Sequence, residues 1–275
     1  MQTYDLIGLD MDGTLLNSQK TISPVTLDAI NRAAAAGKTV ILSTGRGISE
    51  LTQFGEQLSS IHYYVCESGA LIYDAWEKQI LHAETLPPTI VEQLMEIAVP
   101  EDTMLYLMSN GYSYANRRDL AQLAHFQMDI YQEMMNTMVN QKEDLVSYYQ
   151  ETCCPVEKLN MFSASPEIRE RLFSQVQKLP VATAYAEETS LEISPSGVTK
   201  ASGLIWLCQY LQIPLERTII AGDADNDADV LRIAGLSVAM DNALPHIKEL
   251  CDIITADNDH DGCAQVIDTY LLGGE

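Results

Sequence analysis

Short apolar runs separated by polar clusters recur along the chain. Leu6-Ile7-Gly8-Leu9 is one such run, and it stops at the polar stretch Asp10-Met11-Asp12-Gly13-Thr14. A run this short and this uniformly apolar reads as a buried strand with polar groups at its C-terminal end. Ser23-Pro24 then opens a helix through Ala36, with Ser23 as N-cap, Pro24 at the first helical position and Gly37 as the stop. Thr39 to Leu42 is a second buried strand, followed by Ser43-Thr44-Gly45-Arg46 and another helix. Strand, helix, strand in this order predicts a parallel sheet with helices on both faces.

The far end repeats the pattern. Lys200 to Leu211 reads as a helix, Thr218 to Ala221 as a strand ending in Gly222-Asp223, Asn226 to Ala234 as a helix and Leu236 to Ala239 as a strand. Ile253-Ile254 is a last short strand before a helix near Ala264 to Leu271. The middle, 83 to 186, has another texture. It begins near Pro87-Pro88 and holds eight of the eleven methionines and seven of the thirteen tyrosines, which marks it as a separate unit. Strand-like pieces such as Met104 to Leu107 and Leu159 to Phe162 alternate there with helical ones. The expectation is an α+β domain inserted into an α/β domain. Pro87-Pro88 at one junction and Ser194-Pro195-Ser196-Gly197 near the other suggest that the insert moves.

Composition narrows the partners. A chain of 275 residues with 47% hydrophobic and 20% charged residues is an ordinary globular protein, long enough for two modest domains. The formal net charge is -23. That disfavours nucleic acid, which needs a basic face, and anionic membrane surfaces. A phosphorylated substrate would need a locally positive site. The six cysteines form no Cys-x-x-Cys pair, and adjacent Cys153 and Cys154 suit neither zinc nor an ordinary disulfide. Reduced thiols and a cytoplasmic protein are the expectation, with no secretory signal at the N-terminus and no apolar run long enough to span a membrane.

Four polar elements fall at predicted strand or helix ends, where open α/β sheets bind ligands. They are Asp10 to Thr14, Ser43 to Arg46, Lys200, and Gly222-Asp223-Ala224-Asp225-Asn226-Asp227. Asp10 and Asp223 are hard oxygen donors that could share one Mg²⁺. A carboxylate such as Asp10 can attack phosphorus and split one hard step into two. Attack of anion on anion needs the cation and Lys200 to lower the barrier. Asp12 could protonate the leaving alcohol and later deprotonate water. Gly13 and Gly45 permit close backbone approach, and the Thr44 hydroxyl can donate a hydrogen bond.

In this order, these elements resemble the haloacid dehalogenase superfamily, close to its Cof-type, subclass IIB, phosphatases. Ser68-Gly69-Ala70, Val198-Thr199-Lys200, Asn242-Ala243 and Asp261-Gly262 are similar to the same branch. The resemblance implies a Rossmann-like core of 1–82 and 187–275 and a C2-type cap of 83–186 that chooses the leaving group. It implies Asp10 as nucleophile and Asp12 as acid/base. It implies phosphate binding at Met11, Thr44, Gly45, Lys200 and Asn226, and Mg²⁺ binding at Asp10, Asp12, Asp223 and Asp227. The expected activity is hydrolysis of small phosphomonoesters through an aspartyl-phosphate, with no nucleic-acid or membrane partner. A phosphomutase or phosphotransferase, and a catalytically idle phospholigand-binding module, are the alternatives. Ser68 stands where the branch often has Asn, and Asp241 where Gly is common.

Single residues carry blander readings. Asp225 and Asp229 read as helix-start charges, and Asp257 to Asp261 as a polar loop opening the last helix. Arg46 is as well suited to a structural ion pair as to substrate. The five histidines show no metal spacing.

Overall fold

The computed structural model describes residues 3–185 and 188–273. The chain divides into two compact units. One comprises Met1–Gly45, Phe54–His82 and Thr199–Glu275, and the other Arg46–Gln53 and Ala83–Val198. The junction expected between 186 and 187 lies outside the described residues, and the observed division follows Val198. Sequence pattern alone assigns 46–53 to the first unit, but its hydrogen bonds tie it to the second. The Ser49 amide donates to the Gly111 carbonyl at 2.8 Å, and the Glu50 carboxylate accepts from the Tyr106 and Ser113 hydroxyls at 2.7 and 2.5 Å.

The first unit is built on an eight-stranded sheet. Its strands run in the order Ile253–Ile254, Leu236–Ala239, Thr218–Gly222, Leu6–Leu9, Thr39–Ser43, Tyr63–Cys66, Leu71–Asp74 and Gln79–Ala83. The pairings from Ile253–Ile254 through Tyr63–Cys66 are parallel, and that between Tyr63–Cys66 and Leu71–Asp74 is antiparallel. The sheet is therefore mixed at one side, where the sequence predicts only parallel strands. The cause is the turn Glu67–Gly69, whose three residues all have positive φ (54°, 57° and 99°). Such a turn reverses the chain at once, and a parallel return would need a long crossover. Gly69 also approaches the Thr199 carbonyl so closely that a Cβ would overlap it.

Helix Pro24–Ala35 begins as read, with the Ser23 hydroxyl accepting from the Thr26 amide at 3.0 Å. Its buried residues Thr26, Ala29, Ile30 and Ala33 form one helical stripe. Leu204, Leu207 and Cys208 of helix Lys200–Leu211 join Val230, Leu231 and Ile247 over Leu6, Ile41, Val65 and Ile220 of the sheet. The helix expected after Arg46 is one turn, Ile48–Leu51, continued as 3₁₀ turns that break at Gly55.

The second unit holds a six-stranded sheet in the order Val181–Ala184, Ser190–Pro195, Lys158–Ser163, Thr103–Ser109, Tyr112–Asn116 and Asn140–Lys142. All its pairings are antiparallel except the last. Strand alternation sorts Thr103–Ser109 cleanly. Leu105 and Leu107 pack with helices Pro88–Ala98, Leu145–Thr152 and Pro166–Val176. Met104, Tyr106 and Met108 pack on the other face with Leu123, Phe126, Met128 and Met135, so most of the methionine-rich texture is core. On the Tyr106 side the sheet also buries Lys158, whose ammonium meets the Glu192 carboxylate at 2.7 Å.

Candidate active site

Register brings the polar elements of the first unit to one edge. Leu9 lies opposite Leu42 on one side and Ala221 on the other. Asp10, Thr44 and Asp223 therefore leave the sheet at the same end. The first strand is also where the order reverses, since the chain continues to Thr39–Ser43 on one side and returns through Thr218–Gly222 on the other. Ligands of open α/β sheets bind at such a switch point.

Lys200 is the hub. Its ammonium is fully buried and donates to Asp10 Oδ1 at 2.6 Å and Asp227 Oδ1 at 2.7 Å. Burial works against its charge, but Asp10 and Asp227 hold its pKa well above the ordinary lysine value. The helix that carries it is started by Thr199, whose amide donates to Ser202 Oγ at 3.0 Å. Asp227 Oδ2 accepts from the Asp223 and Ala224 amides at 3.1 and 3.2 Å, which fixes the loop around Asp223. Asp223 Oδ1 in turn accepts from the Thr14 hydroxyl at 2.8 Å. Gly13, at φ 84°, passes so near Asp223 that a Cβ there would overlap the carboxylate.

Three carboxylates crowd one ammonium. Asp10, Asp223 and Asp227 can each offer an oxygen within 4.8 Å of the others. Burial pushes the Asp10 carboxyl well above its usual range; Lys200 opposes this, and Asp227 and Asp223 add to it. Burial and then Asp227 push Asp223 up to about 7, despite the Thr14 hydrogen bond and Lys200. Excess negative charge in a low-dielectric site is what a divalent cation relieves. The donors are all hard oxygens, so the cluster fits a hard cation such as Mg²⁺.

The other expected residues sit around this cluster. Asp12 is half-buried, and its Oδ1 accepts from Lys20 at 2.9 Å. The Met11 side chain is fully buried, which leaves its backbone for any phosphate role. Thr44 is buried and pinned by its backbone, accepting from the Ser68 amide at 3.0 Å and donating to the Val65 carbonyl at 2.8 Å. Gly45 and Asn226 are half-buried beside the strand ends. Asp225 and Asp229 pair at the surface with His246 and Arg232. Arg46, in the second unit, lies 5.9 Å from the Tyr131 ring.

Sequence reasoning missed a set of braces. Asn242 donates to the Gly13 carbonyl at 2.7 Å, and Asn258 to the Leu16 carbonyl at 2.8 Å. The Asp257 to Asp261 loop is thus a polar loop that fastens the segment after Asp10, with Asp259 accepting from the Ser18 amide at 2.8 Å. Lys20 was also missed. Only the Asn-x-x-Lys turn following Leu15-Leu16 could have pointed to it.

Comparison with known proteins places the chain in a family. A family profile described as haloacid dehalogenase-like hydrolase matches residues 7–267. The chain is 29% identical to the 5-amino-6-(5-phospho-D-ribitylamino)uracil phosphatase YitU of Bacillus subtilis, covering 97% of each chain. It is 26% identical to the pyridoxal phosphate phosphatase YbhA of Escherichia coli over 98% of this chain and 100% of that one. A solved haloacid dehalogenase-like hydrolase from B. subtilis superposes with a TM-score of 0.86 at 25% identity, covering 96% of this chain and 98% of the other.

Proposed function

The chain belongs to the haloacid dehalogenase-like hydrolases, in their Cof-type branch, and on that premise we propose a Mg²⁺-dependent phosphomonoesterase that works through an aspartyl-phosphate on Asp10. Its class is that of its full-length relatives, phosphoric monoester hydrolases. The observation that carries the finer reading is Lys200, fully buried between Asp10 and Asp227.

Asp10 is the nucleophile. Its carboxylate oxygen bonds to phosphorus as the bond from phosphorus to the leaving oxygen breaks. Asp12 gives its proton to that oxygen, so an alcohol departs rather than an alkoxide. Asp12 then takes a proton from water, whose oxygen attacks phosphorus and frees Asp10 and phosphate. Lys200 holds Asp10 in place and supplies a fixed positive charge against anion–anion repulsion. The Met11 and Gly45 backbones, the Thr44 hydroxyl and the Asn226 amide are assigned to the phosphoryl oxygens. When bound, Mg²⁺ held by Asp10, Asp223 and the Asp12 carbonyl, with Asp227 in support, would supply a second positive charge beside the phosphoryl group.

The relatives' named substrates, a ribitylamino-uracil phosphate and pyridoxal phosphate, motivate small phosphometabolites with a polyol or heterocyclic leaving group. The choice between them is assigned to the second unit as a cap. The test is phosphate release from p-nitrophenyl phosphate and from a panel that includes these two compounds, with Mg²⁺ and with EDTA. Release that needs Mg²⁺ and disappears in Asp10→Asn is the expected result. Release insensitive to both changes would end the proposal, and an isomerised phosphosugar in place of free phosphate would show a mutase.

A further inference from the structure

The geometry points to Lys20 as the residue that positions Asp12 for proton transfer to the leaving group, an inference that rests on the acid–base role proposed above for Asp12. The two aspartates of Asp10-Met11-Asp12 are served by different lysines. Lys200 takes Asp10, from a helix 190 residues away. Lys20 donates to Asp12 Oδ1 at 2.9 Å, from a turn eight residues on. Both partners keep less than a third of their side-chain surface exposed, so solvent screens the pair only partly.

The turn that presents Lys20 is built for it. Asn17 Oδ1 accepts from the Gln19 amide at 3.1 Å and from the Thr21 amide and hydroxyl, both at 3.0 Å. The Asn17 carbonyl accepts from the Lys20 amide at 2.9 Å, and the Asn17 amide donates to the Thr21 carbonyl at 3.0 Å. Asp259 and Asn258 anchor the same stretch from the far end of the chain, at Ser18 and Leu16. A loop tied at this many points holds its tip still. At that tip Lys20 sits at φ 57°, where Gly or Asn would be less strained by about 1 kcal/mol. A long cationic side chain stands where the backbone favours a short one.

A general acid must present its proton within hydrogen-bond reach of the leaving oxygen. Asp12 has a short side chain whose carboxyl rotates easily, and a fixed ammonium on Oδ1 sets the carboxyl plane. In this scheme Lys20 has no role on the phosphoryl group, and it meets Asp12 through the carboxylate rather than through the backbone carbonyl assigned to the metal. It acts through Asp12, as a positioning residue.

The test uses two substrates that differ in their need for an acid. An alkyl phosphate such as glycerol phosphate must have its leaving oxygen protonated, whereas p-nitrophenolate departs without help. Lys20→Asn removes the ammonium while tolerating positive φ, so the turn survives. The expected result is a fall in kcat/KM of about 10- to 100-fold for the alkyl phosphate and less than about threefold for p-nitrophenyl phosphate. Lys20→Arg, which keeps a cation at the same strained position, should recover most of the loss. An equal fall on both substrates, or none on either, overturns the inference. Asp12→Asn measured alongside separates the two levels. If it discriminates between the substrates and Lys20→Asn does not, Lys20 alone is misassigned. If Asp12→Asn fails to discriminate, the acid role of Asp12 falls and the Lys20 inference with it.

Discussion

Two carboxyl groups, one in each unit, are pushed up to about 7: Asp223 and Glu157. Burial is the leading cause in both. Around Asp223 the charges of Asp227 and Asp12 add to it. Around Glu157, among the described residues, burial acts without an added charge, and backbone amides hold the rise back. Glu157 Oε2 accepts from the Asn110 amide at 2.8 Å, in the tight Asn110-Gly111 turn between two strands, where both turn residues have positive φ. One carboxyl is displaced by burial with like charges added to it, and the other by burial over a hairpin. A perturbed carboxyl points to chemistry only when its neighbours supply a reason, and here only Asp223 has one.

The hardest blow to that contrast falls on Lys200. Lys200→Met removes the ammonium and leaves Asp10 and Asp227 buried without it. Breaking a buried pair from one side costs about 3–5 kcal/mol, because the stranded charge must be neutralised or hydrated. Urea unfolding should show a loss of that size at pH 7, along with the loss of turnover. A cost near zero would mean that the cluster opens to water and that its low-dielectric character is illusory.

A divalent cation should separate the two carboxyls. In the metal-free protein Asp223 holds a proton that the unfolded chain has released, over the window from 3.8 to about 7. The folded state binds more protons there, so stability falls as pH rises through that window. A cation held by the deprotonated cluster would reverse the trend. Thermal unfolding with excess Mg²⁺ should show stabilisation of about 2–3 kcal/mol at pH 8, at roughly 100 times Kd, and much less at pH 5.5. An Mg²⁺ effect equal at both pH values would separate the cation from the Asp10, Asp223 and Asp227 cluster.

Glu157 supplies the matching case without a cation. Its folded value of about 7 lies above the ordinary 4.5, so its contribution also declines as pH rises between those values. Glu157→Gln keeps an acceptor for the Asn110 amide and removes the titration. It should stabilise the protein by about 1–2 kcal/mol at pH 8 and change little at pH 4.5. Mg²⁺ should shift the variant and the parent equally. A variant that loses the Mg²⁺ response would tie Glu157 to the metal cluster and dissolve the contrast.

The sequence carried the first unit better than the second, for physical reasons. Strands buried on both faces leave short apolar runs, and Leu6–Leu9 and Leu236–Ala239 form where those runs lie. Asp10, Asp223 and Lys200 follow strand ends or open a helix, so topology gathers them whatever the intervening chain does. The antiparallel edge was hidden because the signal is a run of positive φ at Glu67 and Ser68, residue types that do not announce it. Segment 46–53 was hidden because its membership rests on the Glu50 side chain reaching Tyr106 and Ser113, more than 55 residues away. Lys20 escaped because an ion pair with Asp12 leaves no periodic trace.

The smallest expected effect tests whether acidity near the cluster counts by itself. Asp225 lies two residues from both Asp223 and Asp227, yet it is exposed and paired with His246 at 2.5 Å. An exposed pair contributes little, because water and salt screen it and both side chains lose freedom to form it. Asp225→Asn should therefore change stability by no more than about 0.5 kcal/mol. It should leave the Mg²⁺-dependent rise in melting temperature intact, since the carboxylates that could share a cation are Asp10, Asp223 and Asp227. A variant that lost the Mg²⁺ response while keeping its fold would show that the cation sits farther out, toward solvent. The pressure that raises Asp223 would then come from the whole acidic loop rather than from burial beside Asp227.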